Sequence, residues 1–177
     1  MSGMARNKDV IALLPDLRRY AQTLTRNTAD AEDLLSSALL RAHEHRHTYQ
    51  PSRSLRRWLF AIIHNLFVSQ RRTRLAEQRR DGALADLVPS GAPATQEMSA
   101  LLAQVMRRFD TLPDNQRAVL HLIAVEGMSY QEAAETLAVP IGTIMSRLSR
   151  ARRVLRGESP VDRSHAELRV VGKVHHD

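Results

Sequence analysis

The 177-residue chain has no cysteine, which excludes disulfides and thiolate metal sites and fits a reducing compartment. Aromatics are scarce, with one Trp, three Tyr and three Phe, so most rings are needed to fill a core before any is spared for a ligand. No apolar run approaches the roughly 18 residues that span a bilayer. The stretch Met1 to Lys8 lacks the apolar centre of a signal peptide. These absences lead us to expect a cytoplasmic protein. Strand alternation, internal repeats, glycine-rich phosphate loops and activated nucleophiles are also missing, so neither an enzyme nor a cofactor is expected. His43 and His47 stand one helical turn apart but have no third ligand nearby, and His175 and His176 are weaker still, so no metal is expected.

What is present is charge of one sign. Lys and Arg total 26 against 19 Asp and Glu, a net charge of +7, and the basic residues are almost all Arg. The flat guanidinium fork suits phosphate, so nucleic acid is the first candidate partner and an anionic membrane the second. A hydrophobic fraction of 43% with 25% charged residues is that of a chain that folds.

Apolar residues recur at three- and four-residue steps, the period of a helix. Val10, Leu13, Leu14, Leu17, Tyr20, Ala21 and Leu24 mark a first helix. Asn27 caps a second carrying Ala31, Leu34, Leu35, Ala38 and Ala42 towards Arg46. A loop over Thr48 to Ser54 ends in Ser52 or Ser54 as cap of a third helix, in which Leu55, Leu59, Ile62, Ile63 and Leu66 lead into Arg71, Arg72, Arg74, Arg79 and Arg80. Gly and Pro then break the pattern, as in a flexible linker. Beyond it, a helix around Leu101 to Phe109 precedes one that starts at Asp114 and stops at Gly127. Ser129 with Glu132 forms a capping box for a short helix. Ala138 and Val139 make a turn, and Pro140 opens a last helix whose buried side is Ile144, Leu148, Ala151 and Leu155.

Two short helices joined by a tight turn are the arrangement of a helix-turn-helix DNA reader. Thr143, Ser146, Arg147, Arg150 and Arg153 share one face of the second. The first three are placed to meet base edges, and Arg150, Arg152 and Arg153 to meet phosphates. Gly142 allows close backbone approach.

The segments Leu112-Pro113, Gln116-Arg117, Gly127 to Ala134, Pro140 to Ile144, Ser146 to Leu148 and Arg150 to Arg152 resemble the fourth conserved region of extracytoplasmic-function sigma factors of bacterial RNA polymerase. Leu24 to Asn27, Ala29 to Leu34, Arg41-Ala42, Trp58 to Phe60, Ile62 and Asn65 resemble the second region. The general stress-response subgroup is the nearest in flavour. The resemblance implies an all-α protein with a region 2 bundle of three to four helices (8–80), a linker (81–97), a region 4 helix-turn-helix (98–157) and a tail (158–177). It implies core RNA polymerase, promoter DNA and an anti-sigma factor as partners. Asp30, Glu32, Asp33, Leu34 and Arg41 would dock on the polymerase, Leu34 as an exposed apolar contact. Asn65, Ser69, Arg71 and Arg72 would reach the minus-ten DNA, and the loop from Tyr49 to Ser54 would shape a pocket for an unstacked base, with Tyr49 the stacking ring. Trp58 and Phe60 are expected in the core. Two departures stand out: Leu35, Ser36 and Ser37 replace the family's usual Val-Gln-acid, and Met145 replaces a basic residue. They keep open two alternatives, a sigma mimic that occupies an anti-sigma factor and an ordinary helix-turn-helix regulator.

Overall fold

The computed structural model describes residues 2–81 and 100–158. The expected linker and tail fall outside the described residues except at their first positions. Among the described residues the chain is helical: α1 (Ser2–Thr25), α2 (Thr28–Glu44), a 3-10 turn (Arg46–Thr48), α3 (Leu55–Asp81), α4 (Ala100–Asp110), α5 (Asp114–Leu120), α6 (Tyr130–Leu137) and α7 (Ile141–Arg156).

Each break has a local cause. Arg26 takes a left-handed backbone, φ 60°, and Asn27 then caps α2 by accepting the Asp30 N–H at 3.0 Å. Ser54 Oγ accepts the Arg57 N–H at 3.4 Å, marking the start of α3 as the loop chemistry predicts. The helix expected from Asp114 to Gly127 widens after Leu120 into a π turn, His121–Val125, where Glu126 N–H reaches the His121 carbonyl at 3.1 Å. Such single π turns commonly mark sites under constraint. Gly127 then turns the chain with φ 68°. Pro140 sits one residue before α7 as its cap, not inside its first turn as expected.

The stripes of α1, α2 and α3 meet around Leu17, Tyr20, Leu24, Ala31, Leu35, Ala38, Leu59, Phe60 and Ile63, all buried. Phe60 packs edge-on to Tyr20 with ring centroids 5.1 Å apart, and Trp58 leans half-buried on the same core. The same buried cluster continues through Leu112, Val119, Leu122, Ala133, Leu137, Ile144, Leu148 and Ala151.

One expectation is corrected. Leu34 is 1% exposed and belongs to the core, whereas Leu40, 60% exposed, is the apolar side chain that α2 offers to solvent. The reason is angular: Leu34 lies at helical steps from Ala31, Leu35 and Ala38, so it cannot also face outward. Leu34→Ala should cost about 2–5 kcal/mol through the cavity it leaves, while Leu40→Ala should stay within roughly 0.5 kcal/mol. Urea denaturation of the two variants decides it.

Candidate nucleic-acid and polymerase interface

The C-terminal face is set by α6 and α7. Ser129 Oγ accepts the Glu132 N–H at 3.2 Å and Glu132 returns the favour to the Ser129 N–H at 2.9 Å, which fixes where α6 begins. That hydrogen bonding also holds the Glu132 carboxyl below its usual range. Ala138 closes α6 in the left-handed region, φ 51°, and Val139 N–H bonds back to Ala134 at 3.1 Å. The turn launches α7 with Ile144, Leu148 and Ala151 inward. Ser146, Arg150 and Arg152 are therefore exposed, and Thr143, Arg147 and Arg153 half-buried. Among the described residues, its own stretch of helix aside, nothing lies within 4 Å of a Cβ built on Gly142, so packing sets no need for a glycine there. Ile141 and Met145 are exposed on this helix, which makes the face amphipathic and not purely cationic.

The second face belongs to α3. Asn65, Ser69 and Arg72, at helical steps of four and three, are exposed. Arg71 also stands out from the helix, but its guanidinium grips the Asp114 carboxylate at the start of α5. Tyr49 is half-buried, with its ring 5.3 Å from that of Trp58 and its hydroxyl donating to the Arg53 carbonyl at 2.9 Å. Ser54 is exposed but engaged at the α3 start.

On α2, Asp33, Ser37, Leu40 and Arg41 form an exposed strip. Glu32 is tied to Arg18 at 2.6 Å, and the Asp30 backbone is held by Asn27. Leu40, and not Leu34, is the apolar side chain exposed among them.

The structure also makes groupings that the sequence did not point to. His64, Asn65, Arg71, Arg72 and Arg147 line one hollow of about 660 Å³ between α3 and α7. Tyr20 and His64 share a hydrogen bond of 3.1 Å. Arg117, 1% exposed, donates to the Leu24 carbonyl at 3.0 Å and to Asp114 at 2.6 Å. His121 is buried between Thr23 Oγ1 at 2.8 Å and Glu126 Oε1 at 2.9 Å. A carboxylate can only accept, so His121 Nε2 carries the proton and Nδ1 receives the Thr23 hydroxyl. Among the described residues no group of three or more metal-ligating side chains forms and no helix is long and apolar enough to cross a membrane.

With this geometry in view, the relationships of the chain are plain. Residues 10–76 match the family model for sigma-70 region 2 and residues 102–155 that for sigma-70 region 4. The sigma factor EcfG of Rhodopseudomonas palustris is 37% identical over 145 residues, covering 81% of this chain and 79% of its own. The sigma factor RpoE of Bartonella quintana, solved with the anti-sigma factor NepR, superposes with a TM-score of 0.75 at 34% identity, covering 90% of this chain and 99% of that one. The anti-anti-sigma factor PhyR of the same organism shares the fold at 18% identity and a TM-score of 0.53, over 86% of this chain and 49% of its own. The chain belongs to the extracytoplasmic-function sigma factors, a family of transcription initiation factors.

Burial, and secondarily the charge of Arg147, push the His64 pKa down to about 4. The His121 pKa is lowered chiefly by burial, against the pull of Glu126. An unfolded chain takes up these protons near pH 6.5, so it binds more protons than the folded chain in the interval below. The stabilisation is thus complete above about 6.5 and lost as pH falls from there towards about 4 for His64, an amount of about 3 kcal/mol. His64→Gln should flatten the pH dependence of unfolding free energy between 6.5 and 4, measured by denaturant titration beside the unaltered chain.

Proposed function

We propose that the chain binds core RNA polymerase and directs it to promoters, with residues 8–80 acting as region 2 and residues 98–157 as region 4. The observation that carries this is the pairing of two arginine-bearing helical faces, α3 and α7, on one chain. A regulator that read DNA with α7 alone would leave the α3 face and the α2 strip without a task.

In this reading Pro140, Gly142, Thr143, Ser146 and Arg147 present α7 to the bases of the upstream element, and Arg150, Arg152 and Arg153 hold its phosphates. Asn65, Ser69, Arg71 and Arg72 track the strand opened downstream, with the Tyr49 to Ser54 loop taking an unstacked base. Stacking on Tyr49 requires its ring to leave Trp58 or to be used from its other side. Asp30, Glu32, Asp33 and Arg41 dock on the polymerase with Leu40 as their apolar centre, a charged and apolar mix of the kind interfaces use. The relative solved with an anti-sigma factor supports regulation by such a protein here, in the cytoplasm, and the likeness to EcfG supports the stress-response subgroup. No chemical step is assigned to the chain itself.

Run-off transcription with purified core enzyme should give discrete promoter-dependent products, and their absence from every promoter tried would overturn the reading. Arg147→Ala should relax the preference at one base position by about 1–3 kcal/mol. Arg150→Ala should instead weaken all sequences alike and flatten the salt dependence of binding by about one phosphate contact. Footprinting by the holoenzyme across a salt series measures both.

A further inference from the structure

We propose that Ile141 and Met145 make a thymine reader on α7: in the major groove of the upstream promoter element they pack against the C5 methyl group of a thymine. This rests on the promoter-binding reading and adds to it the base that one place on the recognition helix prefers.

Two large apolar side chains stand uncovered at the start of α7. Ile141 is 44% and Met145 53% exposed, while Ile144, Leu148 and Ala151 of the same helix are buried. One exposed apolar residue needs no explanation. These two are four positions apart, so they lie one above the other on one side of the helix. Their surroundings leave them standing clear. Gly142, Ser146 and Ser149, exposed around Met145, are all short, and the Ser146 hydroxyl is turned back to donate to the Thr143 carbonyl at 3.0 Å. Met145 therefore reaches furthest from the helix on that side.

Charge decides what covers them. The helix carries Arg147, Arg150, Arg152, Arg153 and Arg156 and no acid, which complements the phosphates along the walls of a DNA groove. Two apolar side chains also match the size of a base edge, whereas a protein interface draws on about 20–30 residues a side. On the floor of the major groove guanine, cytosine and adenine present only donors and acceptors, and thymine alone adds an apolar methyl group. Neither Ile141 nor Met145 has an N–H or O–H to offer, so against a polar edge each would displace water without replacing its hydrogen bond. Against a methyl group each gains contact. The flexible, polarisable Met145 side chain adapts to where the methyl lies, and the β-branched Ile141 flanks it as a stiff wall.

The methyl group can be removed without touching the protein. Holoenzyme made from the full chain and purified core enzyme is bound to a promoter that gives a run-off product, and each thymine of the footprinted upstream element is replaced in turn by uracil, which pairs identically but lacks the C5 methyl. At one thymine, or at two neighbouring ones, the unaltered chain should bind the uracil duplex about four-fold more weakly, the effect of one buried methyl group. Met145→Ala should bind the thymine duplex more weakly by about the same factor and no longer distinguish the two duplexes. Met145→Leu, which restores an apolar side chain, should distinguish them again. Arg150→Ala should weaken both duplexes alike and leave their ratio unchanged. The methyl contact is overturned if no thymine can be found whose replacement costs about two-fold or more, or if the uracil penalty survives in both Met145→Ala and Ile141→Ala. The latter result, joined to a loss of core-enzyme binding, would show that a protein covers the patch instead. Normal transcripts without a uracil penalty remove only the methyl contact, whereas absence of promoter-dependent transcripts removes the promoter reading and this contact with it.

Discussion

The arrangement of the molecule depends on one carboxylate meeting three guanidiniums. Asp114, at the first turn of α5, contacts Arg71 of α3, Arg26 at the α1–α2 break and Arg117 of its own helix. Only one of these cations is deeply buried, and it is Arg117 that makes the site costly to leave. A buried cation stripped of its carboxylate loses several kcal/mol, so Asp114 must remain near Arg117 whatever else moves. The contacts to Arg26 and Arg71 lie nearer solvent and can be exchanged for water or phosphate. The same side chain thus joins a buried pair within its own helix to two pairs nearer solvent on the other half.

The apolar stripes of both halves belong to one buried cluster that runs from Tyr20 and Phe60 to Val119 and Ile144. Polar contacts also cross between the halves, with the His121 ring against Tyr20 at 5.2 Å and its Nδ1 against Thr23 among them. Nonspecific attraction of phosphate to α3 is moderated by the acids that sit on Arg56, Arg57 and Arg71.

The helices were legible because amphipathic period and caps are local. Asn27, Ser54, Ser129 with Glu132, and Gly127 each mark a break that the structure retains. Three features were not legible, each for a physical reason. Leu34 matched both a buried stripe and a surface motif, and only the angle it shares with Leu35 and Ala38 decides between them. Arg117 was hidden by its charge, because arginine is surface by default and only Asp114, three residues earlier, hints at a buried pair. The junction between the halves arises from contacts such as Arg56 with Glu126, 70 residues apart, which leave no periodic trace. Linker composition over 81–97 pointed to two units and said nothing of how they meet.

The departures from the family pattern gain meaning from where they lie. Ser36, Ser37 and Met145 are all exposed, so none is needed to fold the chain and each can alter a surface without cost to the core. A shared fold at 18% identity with an anti-anti-sigma factor therefore cannot separate a DNA-reading chain from a mimic, since both would keep the same buried stripes. The separation has to come from side chains that do nothing for stability. On α7 these are Ser146, Arg150 and Arg152, and on α3 Asn65, Ser69 and Arg72, all exposed. A mimic has no use for guanidinium groups spaced along two helices at phosphate reach, and their mutual repulsion would favour their loss. Arg72, Arg150 and Arg152 are therefore what supports the proposed nucleic-acid reading over a mimic.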